Sequence, residues 1–328
     1  MRRALVVAVF ASAWATPRQA GSAFPDPKPS TLPREARVRV GKADLYSREI
    51  GQGQPVIVLH GGPDFDHRYL LPEMDRLADS LRLIYYDQRG RGRSGDRVRP
   101  EDVTLESEMG DLDTVRRHFG LGSVAILGHS WGTVLALEYA IRHPDRVSHL
   151  ILMNPAPASN DDFMSYRKER REKSGGDLDQ LKAMASTVGY QEGDPDAVTA
   201  YYRIHFKTAL ARRDHFERVI TSLRASFTRE GILKAREIEK RLLNETWLSD
   251  SYDLHPKLER LSIPTLVIYG DHDMIPAACA AHIARAIPKA HLVTLKDCGH
   301  FSYLECPDAV RKDIQDFFQG AGAPGRSQ

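Results

Sequence analysis

Gly128-His129-Ser130-Trp131-Gly132 is a G-x-S-x-G sequence, a pattern that lifts a serine hydroxyl clear of a sharp strand-to-helix turn. An apolar, β-branched run, Val124 to Leu127, leads into it, and a helical pattern, Val134 to Arg142, leads out. Glycines on either side allow neighbouring chain to pass close to a residue held at strained backbone angles. Ser130 becomes a nucleophile only if a base takes its proton and an acid holds that base in the right tautomer. Two later loops, each directly after a strand-like run, offer these partners. Asp297-Cys298-Gly299-His300-Phe301 offers His300. Tyr269-Gly270-Asp271-His272-Asp273 offers Asp271 and Asp273, of which Asp273 is the preferred acid and Asp271 the preferred turn former.

Acyl transfer through such a serine also needs two backbone N–H donors for the oxyanion. Trp131, next to the nucleophile, is one candidate. The other lies in His60-Gly61-Gly62-Pro63, after the apolar run Pro55–Leu59, where glycines leave backbone N–H groups unobstructed. The loop Asp87-Gln88-Arg89-Gly90-Arg91-Gly92-Arg93-Ser94 has no direct chemistry in this scheme and is expected to brace the site through internal hydrogen bonds.

These loops require particular elements to carry them. After residue 33 the pattern runs strand, strand, then alternating strand and helix. A first hairpin is expected over Val38–Val40 and Leu45–Ile50, a buried strand at 55–59, a helix at 71–80 and a strand at 81–86. A helix at 105–119, the elbow strand and its helix, and a strand at 147–153 follow. From Asn154 to about Ser251 strand signals stop, and the chain is charged, helical and interleaved with aromatics. Strands resume at 265–269 and 291–295. Short apolar strands alternating with helices define an α/β fold with a mainly parallel sheet covered on both faces. The expected division is a core over 34–153, an inserted helical lid over 154–251 and the rest of the core over 252–328.

Composition narrows the alternatives. The chain has 328 residues, a formal charge of +2 and 41% hydrophobic residues, an ordinary globular balance. Nothing in that charge predicts a nucleic-acid partner. Residues 1–33 differ from the rest: Arg2 and Arg3, a small-residue apolar run from Ala4 to Ala15, Ala-x-Ala-like sites near residue 15 and residue 23, and a proline-rich linker. This predicts a signal peptide, too short to span a bilayer, and hence a secreted or periplasmic protein, with a cytoplasmic location as the alternative. Three cysteines, Cys279, Cys298 and Cys306, do not make a disulfide framework and are expected as packed free thiols, with Cys298–Cys306 a conceivable pair. No Cys/His spacing resembles a zinc site, and neither a metal nor a cofactor is predicted.

Taken together, His60-Gly61-Gly62-Pro63, Asp87-Gln88-Arg89-Gly90…Ser94, Gly128-His129-Ser130-Trp131-Gly132, Gly270-Asp271-His272-Asp273 and Gly299-His300-Phe301 resemble the landmarks of α/β-hydrolases, and most closely the proline iminopeptidase branch. The resemblance spans roughly residues 36–318 and is loose only in the inserted segment. It implies a serine peptidase releasing an N-terminal residue, often proline, from short peptides. It also implies Ser130, Asp273 and His300 as the triad and Gly62 and Trp131 as oxyanion donors. The branch commonly has Gly where this chain has Asp64, and often Gly where it has His129. It binds the substrate's free amine with acidic residues, chiefly from the lid. Here Glu217, Glu230, Glu237, Glu239 and Glu245 are available, and Asp64, Glu217 and Glu245 are the candidates put forward. Epoxide hydrolases and haloalkane dehalogenases have related loops but carry Asp at the elbow, which Ser130 argues against. An ester, lactone or amide hydrolase is the alternative function, and a hydrolase-derived ligand-binding module with little turnover a further one. Oligomeric state is left open.

Overall fold

The computed structural model describes residues 32–320, so the proposed signal peptide lies outside the described residues. Eight strands form one sheet in the order β1-β2-β4-β3-β5-β6-β7-β8. They are β1 (Arg34–Val40), β2 (Ala43–Ile50), β3 (Gln54–Leu59), β4 (Leu81–Tyr86), β5 (Val124–His129), β6 (Val147–Met153), β7 (Thr265–Gly270) and β8 (Ala290–Leu295). The β1–β2 hairpin is antiparallel and joins β4 antiparallel; every other pairing is parallel. The central strands β5 and β7 are buried along their whole length, which is why they read as continuous apolar runs and not as alternating patterns.

Helices cover both faces. α1 (Leu105–His118), α2 (Trp131–Arg142) and α10 (Ala277–Ala286) pack on one face through Met109, Leu112, Val134 and Ile283. α12 (Pro307–Phe318), which follows the short α11 (Ser302–Glu305), covers the other face through Val310 and Ile314. Thr104 starts α1 with a capping box to Ser107, satisfying two otherwise unpaired backbone donors. Residues 71–80, expected as one helix, form a 3-10 helix over Glu73–Asp79 that begins after Pro72.

Between β6 and β7 the chain leaves the sheet and carries α3 (Asn160–Lys173), α4 (Asp177–Ala185), α5 (Val188–Gln191), α6 (Pro195–His205), α7 (Phe216–Arg224), α8 (Arg229–Glu245) and α9 (His255–Leu258). Among the described residues no helix is long and apolar enough to cross a membrane.

Cys298 and Cys306 are joined as a disulfide, contrary to the expectation of free thiols, while Cys279 is free and buried. The reason is tertiary: the chain turns back through α11 and brings the two Cα atoms to 6.3 Å, a separation eight residues of sequence do not announce.

Close backbone approach fixes the elbow. A Cβ on Gly132 would lie 2.3 Å from the carbonyl oxygen of Leu59 at the end of β3, and backbone cannot yield as a flexible side chain does. Gly110, mid-helix and exposed, would meet nothing within 4 Å. Gly132→Ala should therefore destabilise the protein by about 1–3 kcal/mol through overpacking. Gly110→Ala should stabilise it by roughly 0.5–1 kcal/mol through helix propensity. Denaturant unfolding of the two variants measures this; equal stabilities would contradict the packing assigned to the elbow.

Candidate active site

The ends of β5, β6 and β7 step together at the carboxyl edge of the sheet. Ser130 N–H donates to Met153 O at 3.1 Å, and Asn154 N–H donates to Ile268 O at 2.7 Å. Ser130 itself sits at φ 53°, ψ −122°, a left-handed conformation that points its side chain away from the helix it precedes. From this position Ser130 Oγ is 3.0 Å from His300 Nε2. His300 Nδ1–H donates to Asp273 Oδ1 at 2.8 Å, which leaves Nε2 as an acceptor for the serine proton. Asp273 is held in turn by Ile275 N–H at 2.9 Å and by Asn154 Nδ2–H at 2.8 Å. Asp271 is turned away: it accepts from His272 Nδ1 at 2.7 Å at the surface.

Asn154 was not anticipated. It follows the strand end directly, sits at φ 48°, accepts from Ser302 Oγ at 2.5 Å and also donates to Gly299 O at 3.0 Å. It thus ties the Asp273 loop to the His300 loop. An Asn-Pro step after an apolar strand was its one sequence signal, and that signal marks a turn equally well.

The glycine-rich loop after β3 comes up against the serine from the other side. A Cβ on Gly61 would lie 2.8 Å from Ser130 Cβ. Gly61 N–H donates to Tyr69 Oη at 2.6 Å, Tyr69 O–H donates to His129 Nδ1 at 2.7 Å, and His129 Nε2–H donates to His300 O at 2.9 Å. Burial, with the neighbouring His300 second, pulls His129 down to about 3, so it stays neutral and keeps one donor and one acceptor. His60 is locked in the same way, accepting Gln88 N–H at 3.1 Å, while Gln88 Nε2–H donates to His60 O at 2.9 Å. Arg91 reaches Gln88 Oε1 and Glu108 Oε1, both at 2.7 Å. The Asp87–Ser94 loop therefore braces the glycine-rich loop from beneath.

Gly62, Ser130, Trp131 and His300 share a cavity of about 250 Å³. Its far wall comes from the inserted segment, including Phe163, Tyr166, Tyr202 and Trp247. Trp247 stacks on Phe163 at 4.9 Å and meets Trp131 edge-on at 5.2 Å. Trp131 opens α2, so its N–H is among that helix's unsatisfied first-turn donors.

Two carboxylates also line this cavity, Asp64 after β3 and Glu239 on α8. Tyr202 O–H donates to Asp64 Oδ2. Burial raises Asp64 against the pull of that hydrogen bond, and burial followed by the charge of Asp64 pushes Glu239 up to about 8. Of the other acids put forward, two lie elsewhere. Glu217 is exposed on α7 and paired with Arg203, at 2.7 Å for one of its oxygens. Glu245 accepts Leu105 N–H at 2.8 Å, capping α1. Glu230 and Glu237 are exposed. Spacing along a helix could not separate Glu239 from its neighbours, because only the docked position of α8 decides which face meets the cavity.

A family profile described as alpha/beta hydrolase fold matches residues 54–307, and the chain belongs to that family. It is 26% identical over 275 residues to a proline iminopeptidase of Saccharolobus solfataricus, covering 83% of this chain and 87% of that one. The crystal structure of a proline iminopeptidase of Mycobacterium smegmatis aligns with a TM-score of 0.64 at 21% identity, over 87% of this chain and 98% of that one. The enol-lactonase of Burkholderia xenovorans aligns with a TM-score of 0.60 at 22% identity, over 87% of this chain and all of that one (100%). At such identities these structures speak to the fold alone.

Glu239 makes stability depend on pH in a definite direction. Its folded value, about 8, lies above the ordinary 4.5, so the folded state holds a proton that the unfolded state has lost between those values. Stability from this group is full below about 4.5 and is lost as pH rises to about 8. Glu239→Gln removes the titration. Its melting temperature should gain on wild type steadily between pH 5 and pH 8, and parallel curves would show that Glu239 ionises freely.

Proposed function

We propose that this protein is a serine hydrolase acting through an acyl-enzyme, and that it is an aminopeptidase releasing N-terminal proline or another residue from short peptides. The observation that carries the first part is the continuous chain Ser130–His300–Asp273–Asn154, whose first two members line the cavity. His300 Nε2 takes the Ser130 proton as Oγ attacks the carbonyl carbon. The Gly62 and Trp131 N–H groups receive the oxyanion. His300 then returns the proton to the leaving nitrogen as the C–N bond breaks. Water, deprotonated by the same histidine, cleaves the ester and restores Ser130. Asp273, held in place by the Ile275 and Asn154 donors, stabilises the imidazolium that exists in between. The inserted segment acts as the lid that keeps bulk water from this exchange.

The peptidase reading rests on Asp64 and Glu239. A free N-terminal amine entering a small aromatic cavity loses its hydration, and buried carboxylates offset that loss. Similarity to proline iminopeptidases over most of the chain supports the same reading. A second reading, an ester, lactone or simple amide hydrolase, is favoured by one feature. With Glu239 held up to about 8, the resting cavity at neutral pH is less anionic than two carboxylates suggest, and it tolerates an uncharged acyl group.

Ser130→Ala should leave a folded protein whose kcat falls by a factor on the order of a million, and a fluorophosphonate should label wild type at Ser130 only. Asp273→Asn should cost on the order of ten-thousandfold, because an amide favours the wrong tautomer of His300, while Asp271→Asn should cost little. Retention of a tenth of the rate by Ser130→Ala, or the reverse ranking of the two aspartates, would overturn the assignment.

The substrate class is read from paired compounds. Prolyl and other aminoacyl anilides with a free amine should exceed their N-acetylated forms by roughly a hundredfold or more in kcat/KM. Glu239→Gln should shrink that ratio while leaving p-nitrophenyl ester hydrolysis largely intact. Equal cleavage of free and acetylated anilides, or turnover of esters alone, establishes the ester or lactone hydrolase instead. Stoichiometric acylation without turnover of any substrate would mark a binding module.

A further inference from the structure

Away from the cavity's chemistry, three side chains from three elements converge: Asp162 in the first turn of α3, His255 at the start of α9 and His282 on α10. One ligating atom from each lies within 4.8 Å of the others. His282 Nδ1 is 2.8 Å from Asp162 Oδ1, and His255 Nε2 is 3.4 Å from Asp162 Oδ2. The second pair is the informative one. Asp162 Oδ2 and His255 Nε2 are both buried, and neither has a hydrogen-bond partner. The Asp162 side chain is only 9% exposed.

The other nitrogen of His255 is already committed. Its Nδ1–H donates to Asp253 Oδ1 at 2.9 Å, and that same oxygen accepts the His255 backbone N–H at 2.9 Å. Nδ1 is therefore the donor to Asp253, and Nε2 faces Asp162 without a hydrogen bond. A ring nitrogen and a carboxylate oxygen face each other in buried surroundings, 3.4 Å apart, with no hydrogen bond to satisfy either. An imidazole with a carboxylate behind its far nitrogen is also the arrangement that orients and strengthens a histidine ligand. The 3.4 Å separation is close to the edge of a tetrahedron with bonds of about 2.0–2.1 Å, an edge of roughly 3.3 Å.

We propose that Asp162, His255 and His282 form a binding site for a divalent transition cation, with Zn²⁺ the best match. Two imidazoles and one carboxylate suit zinc and not magnesium or calcium, which prefer oxygen throughout. His282 is half-exposed, so its proton moves to solvent-facing Nε2 as Nδ1 turns from donor to ligand, and the fourth position stays open to water. The site clasps the first helix of the inserted segment to α9 and α10. Phe163, the next residue after Asp162, lines the catalytic cavity and stacks on Trp247, so the cation fixes one wall of that cavity without entering it.

The test uses the full chain, stripped with a chelator and titrated with Zn²⁺ alone by calorimetry, with melting curves alongside. The expected result is one saturable site with a dissociation constant in the micromolar range or tighter, and a rise in melting temperature on saturation. Asp162→Asn and His282→Gln should each weaken binding at least tenfold. His272→Gln, in an exposed cluster with Asp271 and Asp297, should leave it unchanged. If Asp162→Asn does not fold, His282→Gln, at a half-exposed position outside the catalytic machinery, decides alone, and its ester hydrolysis should match wild type. No saturation below millimolar Zn²⁺, or binding that survives His282→Gln, or binding lost with His272→Gln, overturns the proposal.

Discussion

The reaction centre depends on one steric constraint: β5, the start of α2 and the end of β3 occupy almost the same space. Gly128 and Gly132 are in backbone-to-backbone contact across the elbow, and Gly132 is also against Leu59. Ser130 can hold φ 53° only because both sides of the turn are clamped, its N–H to β6 and its carbonyl to Thr133. The strain is borne by the sheet, whose core strands are fully buried, and it sets the direction of Oγ before any substrate arrives. His300 and Asp273 then need only reach a fixed point, which they do from loops at the ends of β8 and β7.

A second constraint is electrostatic. Asp64 and Glu239 repel each other in a wall of aromatic rings, and the cheapest resting state keeps a proton on Glu239. An arriving ammonium changes that balance: it favours both carboxylates ionised, and the proton leaves. Tyr202 contributes by donating to Asp64, which fixes one carboxylate oxygen.

The parts of this site that were legible in the sequence are those whose chemistry is local. A tight turn needs its glycines within a few residues, so the elbow and the glycine-rich loop announce themselves, and the strand preceding each is a continuous apolar run. The acids Asp271 and Asp273 were both visible as turn residues after a strand, but only the fold separates them: Asp273 faces His300 and Asp271 pairs with His272 at the surface. What was not legible depends on docking. Glu239 differs from Glu237 only in which face of α8 meets the cavity. Glu245 and Glu217 are spent on a helix cap and a surface ion pair, uses that charge alone does not reveal. Asn154 acts through Asp273, 119 residues away in sequence, and the Cys298–Cys306 bridge follows from a turn whose return path only the folded chain displays.

His129 shows how a departure from the pattern of similar proteins can carry structure. At a position where the resembled branch often has glycine, its ring spans the gap between two loops that share no strand. Gly61, Tyr69, His129 and His300 form a line of donors and acceptors with a single self-consistent direction, because the His300 carbonyl can only accept, which puts the proton of neutral His129 on Nε2 and leaves Nδ1 to accept from Tyr69. Each bond in such a line is worth only about 1 kcal/mol net. Its value is geometric. Catalytic groups must be held within roughly half an ångström, and loops alone do not supply that precision. By joining the glycine-rich loop after β3 to the loop that carries His300, and by remaining neutral through burial, His129 keeps the two halves of the site in register across the sheet edge while taking no proton itself.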